Sequence, residues 1–173
     1  MIVFRPKRFQ GKTYDFSHLN PFTFDLDVDE RCFGVGVSFS CHCFTVKLTS
    51  AHSPDFLYDH GGERRAFDLL RHELSLQLPD FFRQLGNRSV YWSNKGNFFF
   101  WRSPALLNAP YLVFFDAVKA ARPGVDVQIH VRSAHPKPNM ALRASPVKFT
   151  TLIRATALGQ KIKAGPAQQI KRK

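Results

Sequence analysis

Between Val125 and His135 apolar and polar residues alternate: Val125, Val127, Ile129 and Val131 fall on one side of a period-two pattern, Asp126, Gln128, His130 and Arg132 on the other. A strand of this kind buries one face and leaves the other open, so it belongs to a sheet packed on one side only. Three further strand-like segments precede it, Ser89 to Trp92, Asn97 to Arg102 and Tyr111 to Val118. The connections Asn94-Lys95-Gly96, Pro104 to Pro110 and Arg122-Pro123-Gly124 are short enough for an antiparallel meander of three or four strands.

Upstream the period changes. From Glu63 onward Phe67, Leu70, Leu74, Leu78, Phe81 and Leu85 recur at three and four, which predicts a helix that Pro79 kinks into two, with Gly86-Asn87 ending it. Nearer the N-terminus Phe22, Phe24, Leu26 and Val28 alternate with polar residues, as do Phe33, Val35, Val37, Phe39 and Cys41. The parity then switches to Phe44, Val46 and Leu48, so a bulge or bend is expected near Cys43. The first twenty residues read as a basic arm that docks through Tyr14 and Phe16, and Ser53 to Gly62 as a loop. The resulting expectation is an α+β fold: a basic arm over 1–20, one domain over 21–136 with an N-terminal β region, a central kinked helix and a C-terminal antiparallel sheet, and a basic, flexible tail over 137–173.

Charge narrows the partner. The chain carries 25 Lys and Arg against 13 Asp and Glu, a formal +12, and such a field attracts polyanions. Nine of those cations and no acid lie between Lys137 and Lys173, which leaves +3 on the rest. With 18 Phe and 44% hydrophobic residues there is ample core material, which argues against disorder through most of the length. Apolar runs such as Leu112 to Phe115 are too short to cross a bilayer. Three cysteines, an odd number, and no signal-like N-terminus point to a reducing, cytoplasmic setting.

Two clusters invite a metal reading. Cys41-His42-Cys43, with Cys32 nine residues earlier, offers thiols and an imidazole, but spaced too tightly to wrap an ion, and on a strand Cys41 and Cys43 would share one face with His42 on the other. His52, Asp55, Asp59 and His60 fit no known spacing. Both read first as structural or polar-loop residues, and no cofactor is expected.

The open face from Asn94 onward is more informative. Cleaving RNA without a metal needs a base for the 2′-hydroxyl proton, cations for the phosphorane charge and an acid for the leaving oxygen. His135 and His130 are the candidate acid and base, with Arg132 beside them, and Lys95, Arg102, Lys119 and Lys137 as phosphate ligands. Arg143, Lys148, Lys161, Lys163, Lys171, Arg172 and Lys173 extend the basic surface along the tail. The plain alternative is that these groups only bind phosphate. Tyr91, Trp92, Phe99 and Trp101 could stack bases or fill the core.

The order of a helix bearing Leu78-Pro79-Asp80-Phe81-Phe82-Arg83-Gln84-Leu85, then antiparallel strands ending in Val131-Arg132-Ser133-Ala134-His135-Pro136-Lys137, resembles the barnase–EndoU–colicin–RelE group of toxin-like ribonucleases. The similarity spans about Arg64 to Lys137. Phe39 to Thr45, Arg64 to Leu85 and Gly96 to Phe99 are similar to short mobile-element proteins labelled stationary-phase growth adaptation proteins. These resemblances imply a bacterial, mobile-element growth-control protein that cuts RNA, with Arg132 and His135 at catalytic or phosphate-binding positions. They imply RNA ahead of DNA as partner, with a ribosome or a cognate antitoxin-like protein as further candidates and no membrane. A non-catalytic nucleic-acid or ribosome binder, and a protein-interaction regulator, are the rival classes.

Overall fold

The alternating segment at Val125 becomes the middle of a large sheet. The computed structural model of the chain describes residues 3–93, 97–104, 108–138, 143–163 and 165–170. The fold is α+β, and its eight-stranded sheet joins both halves of the sequence.

From the N-terminal half come β3 (Phe22–Val28) and β4 (Arg31–Phe39), a hairpin closed by Asp29 and Glu30 with Asp29 at positive φ. From the C-terminal half come β8 (Ser89–Trp92), β9 (Phe98–Arg102), β10 (Tyr111–Arg122) and β11 (Val125–Pro136), an antiparallel meander as the short connections require. The halves meet where β11 pairs in parallel with β4, Val127 to Val131 against Val35 to Phe39. The expected separate N-terminal β region is therefore part of the same sheet. A parallel neighbour leaves no local turn signal, so only burial of Val35, Val37 and Phe39 beside Val127, Ile129 and Val131 brings it about.

Cys41–Cys43 forms a 3-10 turn, not a strand; it ends β4 where the parity switch demanded a bend. The chain then enters a second, three-stranded sheet of β5 (Thr45–Lys47), β6 (Leu57–His60) and β7 (Glu63–Phe67), in the order β5-β7-β6. Part of the expected loop and the start of the expected helix are thus strands. The helical pattern begins later, with Asp68 capping the Arg71 amide at 2.8 Å. The kinked helix is α1 (Leu69–Ser75) followed by α2 (Leu78–Arg83), with Pro79 in the first turn of α2. Its buried stripe is Leu74, Leu78, Phe82 and Leu85; Leu70 is exposed, because the preceding strand sets the phase of the helix.

Before β3 the chain forms the hairpin β1 (Lys7–Phe9) and β2 (Lys12–Tyr14), turning at Gln10-Gly11, both at positive φ. Phe4, Phe9 and Phe16 are buried, and the Phe16 and Phe44 rings stack at 4.0 Å, so aromatics tie this basic segment to the small sheet.

The C-terminal region needs the largest correction. Residues 143–157 are not a flexible tail: β12 (Arg143–Lys148) pairs with β8, and α3 (Phe149–Ala157) packs on β10, β11, β3 and β4. Phe149, Leu152 and Ile153 are fully buried in the main core. Proline, alanine and lysine around this segment masked an apolar stripe whose burial offsets the cost of ordering it. Beyond it the two-residue strand β13 (Gln168–Gln169) pairs with β12, and Ile170 is buried.

Phe149→Ala is expected to cost about 3–5 kcal/mol, read as a lowered urea midpoint; an unchanged midpoint would restore the flexible tail. Gly34→Ala is expected to cost about 1–3 kcal/mol, since the added methyl would strike the Gly124 carbonyl backbone. At Gly36 the methyl meets only the Gln128 and Arg122 side chains, which can swing aside, so Gly36→Ala should leave the same midpoint nearly in place.

Candidate nucleic-acid cleft

A one-residue bulge assembles the site. Along β11, Val131 pairs with Phe115 and Ser133 with Phe114, so Arg132 is the extra residue. Before the bulge the buried residues are Val127, Ile129 and Val131; after it Ala134 is buried instead, and the alternation shifts by one. His135, which a regular strand would place with Val131 on the packed side, therefore falls on the open face with His130 and Arg132. The Cys41–Cys43 turn closes the end of this face, held by the Ser40 amide donating to the Val131 carbonyl at 2.9 Å.

Here a cleft of about 840 Å³ opens, lined among others by His130, Arg132, His135, Lys137 and Arg143. Phe99, Phe114 and His135 give it an aromatic wall, and Tyr91, outside the lining, continues the row. Tyr91, Phe99, Phe114 and His135 form a row of rings across β8, β9, β10 and β11, with successive centroids 5.4, 5.5 and 5.5 Å apart. The His135 ring lies nearly parallel to Phe114, at 19°. Phe99 is fully covered, packed with Leu112, Ala144 and Ile170, whereas Phe114 and His135 remain partly open to the cleft. Stacked rings beside cations are what a flipped-out base and its phosphate require.

Electrostatics set the imidazoles. Burial, with the Arg71 and Lys137 charges nearby, pushes His135 down to about 4. Burial also lowers His130, with Arg132 adding to the effect and Asp116 opposing it. His130 Nδ1 sits 3.1 Å from the Ser38 hydroxyl. Both rings are therefore neutral near pH 7, which equips either as a base and neither as an acid. Arg132 is half-exposed and reaches Asp116 at 3.4 Å, a surface pairing weak enough to exchange for a phosphate.

The other residues expected at a site are dispersed. Lys119 lies exposed toward the far end of β10 and does not line the cleft, because the strand carries it past the open end. Arg102 lies on the helix-facing side of β9, against Phe81 and Phe100, and borders a different pocket. Lys148 is exposed on β12, and Lys161 and Lys163 are exposed beyond α3, none of them lining the cleft. Lys95, Lys171, Arg172 and Lys173 lie outside the described residues. His42 and Ser40 join the lining unannounced, because the turn that presents them packs against β11 from ninety residues away.

Cys41, His42 and Glu63 offer ligand atoms within 4.8 Å of one another, the grouping of metal-binding types found among the described residues. Cys43 is buried apart from them and Cys32 is exposed on β4. As it stands the group is already satisfied. His42 Nε2 meets the Glu63 carboxylate at 3.0 Å, Arg65 takes the same carboxylate at 2.9 Å, and burial keeps the Cys41 thiol protonated. The His52, Asp55 and His60 group divides into local roles: His52 holds Thr49, Asp55 accepts from the Gln10 amide, and His60 lies on Phe4.

A family model described as the YjaZ family matches residues 6–157. The chain belongs to the YjaZ family. The matched segment runs from just before β1 to the last residue of α3. In this YjaZ-family chain the three-stranded sheet, the large sheet apart from β13, and every residue lining the cleft thus fall inside the matched region, and α3 belongs to the family domain, not to an appendage. No curated protein and no solved structure matches the chain.

A histidine NMR titration should find His135 unprotonated through the ordinary imidazole range and titrating near 4; titration close to 6.5 would remove the burial argument. The linked stability follows in sign. His135, and His18, which burial and His72 also lower to about 4, take up protons more readily unfolded than folded. Their contribution is complete above the unfolded imidazole value and is lost as pH falls from there through about 4.

Proposed function

We propose that this chain is an RNA-directed protein that binds single-stranded RNA in the cleft and cleaves it without a metal. The observation that carries the reading is the convergence of a neutral His135, stacked on Phe114, with Arg132, Lys137 and Arg143 in one cleft. A base stacks on the aromatic wall, and the guanidinium groups take the scissile phosphate. His135 removes the 2′-hydroxyl proton, the freed oxygen attacks phosphorus, and Arg132 and Arg143 hold the negative charge that develops. The bond from phosphorus to the 5′-oxygen then breaks, and that oxygen takes its proton from Lys137. His130, also neutral, stands as a second base and not as the acid.

The reading fits a cytoplasmic growth-control role of the toxin-like kind, with a single-stranded RNA segment, such as one on the ribosome, as a target and an antitoxin-like protein as a partner. No helix among the described residues is long and apolar enough to cross a membrane. One observation favours the second reading, a non-catalytic RNA binder: neither imidazole is held in the protonated form that most readily protonates a leaving oxygen.

Incubating the purified protein with single-stranded RNA and with DNA of the same sequence, in the presence of a chelator, separates these outcomes. Cleavage of RNA alone, reduced about 10²–10⁴-fold by His135→Ala, is the expected result. Intact RNA that is retarded on a gel, and released by Arg143→Ala, would transfer the function to binding. RNA neither cut nor bound would sink both.

A further inference from the structure

Arg88 and Arg102 border a second pocket of about 300 Å³ that shares no lining residue with the cleft. Its other walls are Ser89, Tyr91, Trp101 and Ser103. The backbone of Arg88 is fixed on both sides: its amide donates to the Leu85 carbonyl at 2.7 Å, and its carbonyl accepts from the Phe149 amide at 2.9 Å. Lys148 lies in register with Ser89 on the neighbouring strand and adds a third cation to this edge of the sheet.

Among the described residues the charge here has no counterpart. All the Asp and Glu residues of the chain lie among the described residues, and none comes within ion-pair distance of Arg88 or Arg102. Arg102 is half-buried. Its Nη1 donates to the Trp101 carbonyl at 3.1 Å and its Cζ lies 5.1 Å from the Phe100 ring centroid, while Nη2 is buried with no hydrogen-bond partner. Burial first and Arg88 second oppose its charge. The half-buried Arg102 charge, with exposed Arg88 lining the same pocket, carries a cost that an oxyanion there would offset, and two serines beside them supply neutral donors.

We propose that Arg88, Arg102, Ser89 and Ser103 form a second oxyanion site of phosphate class, distinct from the histidine cleft. Its ligand is either a free phosphate group or a backbone phosphate of a polynucleotide. Tyr91 borders this pocket and also begins the ring row that ends at His135. Only that polynucleotide arm rests on the reading of the cleft.

The test uses the full chain, its Arg88→Ala form and, as a charge-matched control, Arg8→Ala, whose side chain is exposed on the N-terminal hairpin. Inorganic phosphate is titrated while the Arg102 Nε–Hε resonance is followed by NMR, and the affinity for a single-stranded RNA dodecamer is measured over a range of salt. A saturable Arg102 shift that Arg88→Ala abolishes and Arg8→Ala retains supports the site. If Arg88→Ala, but not Arg8→Ala, also weakens the dodecamer about tenfold and reduces its salt slope by about one, the ligand is polynucleotide phosphate. RNA affinity unchanged beside a phosphate-driven shift assigns the site to free phosphate. No shift together with no selective effect of Arg88→Ala on RNA overturns the proposal, and does so whether or not the cleft itself binds RNA.

Discussion

The contact that the rest of the structure depends on is the parallel pairing of β4 with β11, sealed where the Gly124 carbonyl passes over Gly34. It joins residues about ninety apart in sequence, and the cost of closing that loop is met only once Val35, Val37 and Phe39 bury beside Val127, Ile129 and Val131. Only glycine at 34 lets the β10–β11 turn settle this close, because any Cβ would occupy the space of the carbonyl. With this pairing in place the sheet is continuous, α3 has a surface spanning β10, β11, β3 and β4 on which to bury Phe149, and the Cys41–Cys43 turn is delivered to the end of β11.

From that placement the cleft follows by one further step, the bulge at Arg132. A regular β11 would bury His135 in the core beside Tyr111 and Phe149, where an imidazole finds few partners. The extra residue turns it outward onto Phe114, and the same displacement leaves Arg132 pointing into the cleft between His130 and His135. Chemistry on this face thus depends on an irregularity that the alternation itself does not encode beyond Val131.

The legibility of the chain divides along the same line. Strands β8 to β11, the kink at Pro79 and the bend near Cys43 were readable because each is written locally, as alternation, as a proline or as a change of parity. His130, Arg132, His135, Lys137 and Arg143 were nominated from that alternation and from charge, and the fold gathers all five. What escaped was non-local or masked by composition. β7 hid under a helical period because Phe67 serves a strand and still lies in phase with Leu74, and α3 hid inside a basic, proline-flanked segment. Lys119 and Arg102 were placed by strand membership alone, which says nothing about which end or which face a residue occupies. The approach of His42 had no signal in the sequence.

Two charge environments on one sheet explain why the cleft favours a base over an acid. Among the described residues Arg132 is the one cleft guanidinium with a carboxylate, Asp116, and that carboxylate is also the group that opposes the lowering of His130. His135 has no such neighbour; Arg71 behind it and Lys137 beside it both act against protonation. The packing that turns the ring onto Phe114 and the cations that would hold a phosphate therefore act in the same direction, keeping the imidazole neutral. In the proposed reaction the proton for the leaving oxygen comes from Lys137, the cation closest in sequence to His135. On the proposed reading, cutting RNA as against only holding it thus reduces to the position of one ammonium group relative to a phosphate in the cleft.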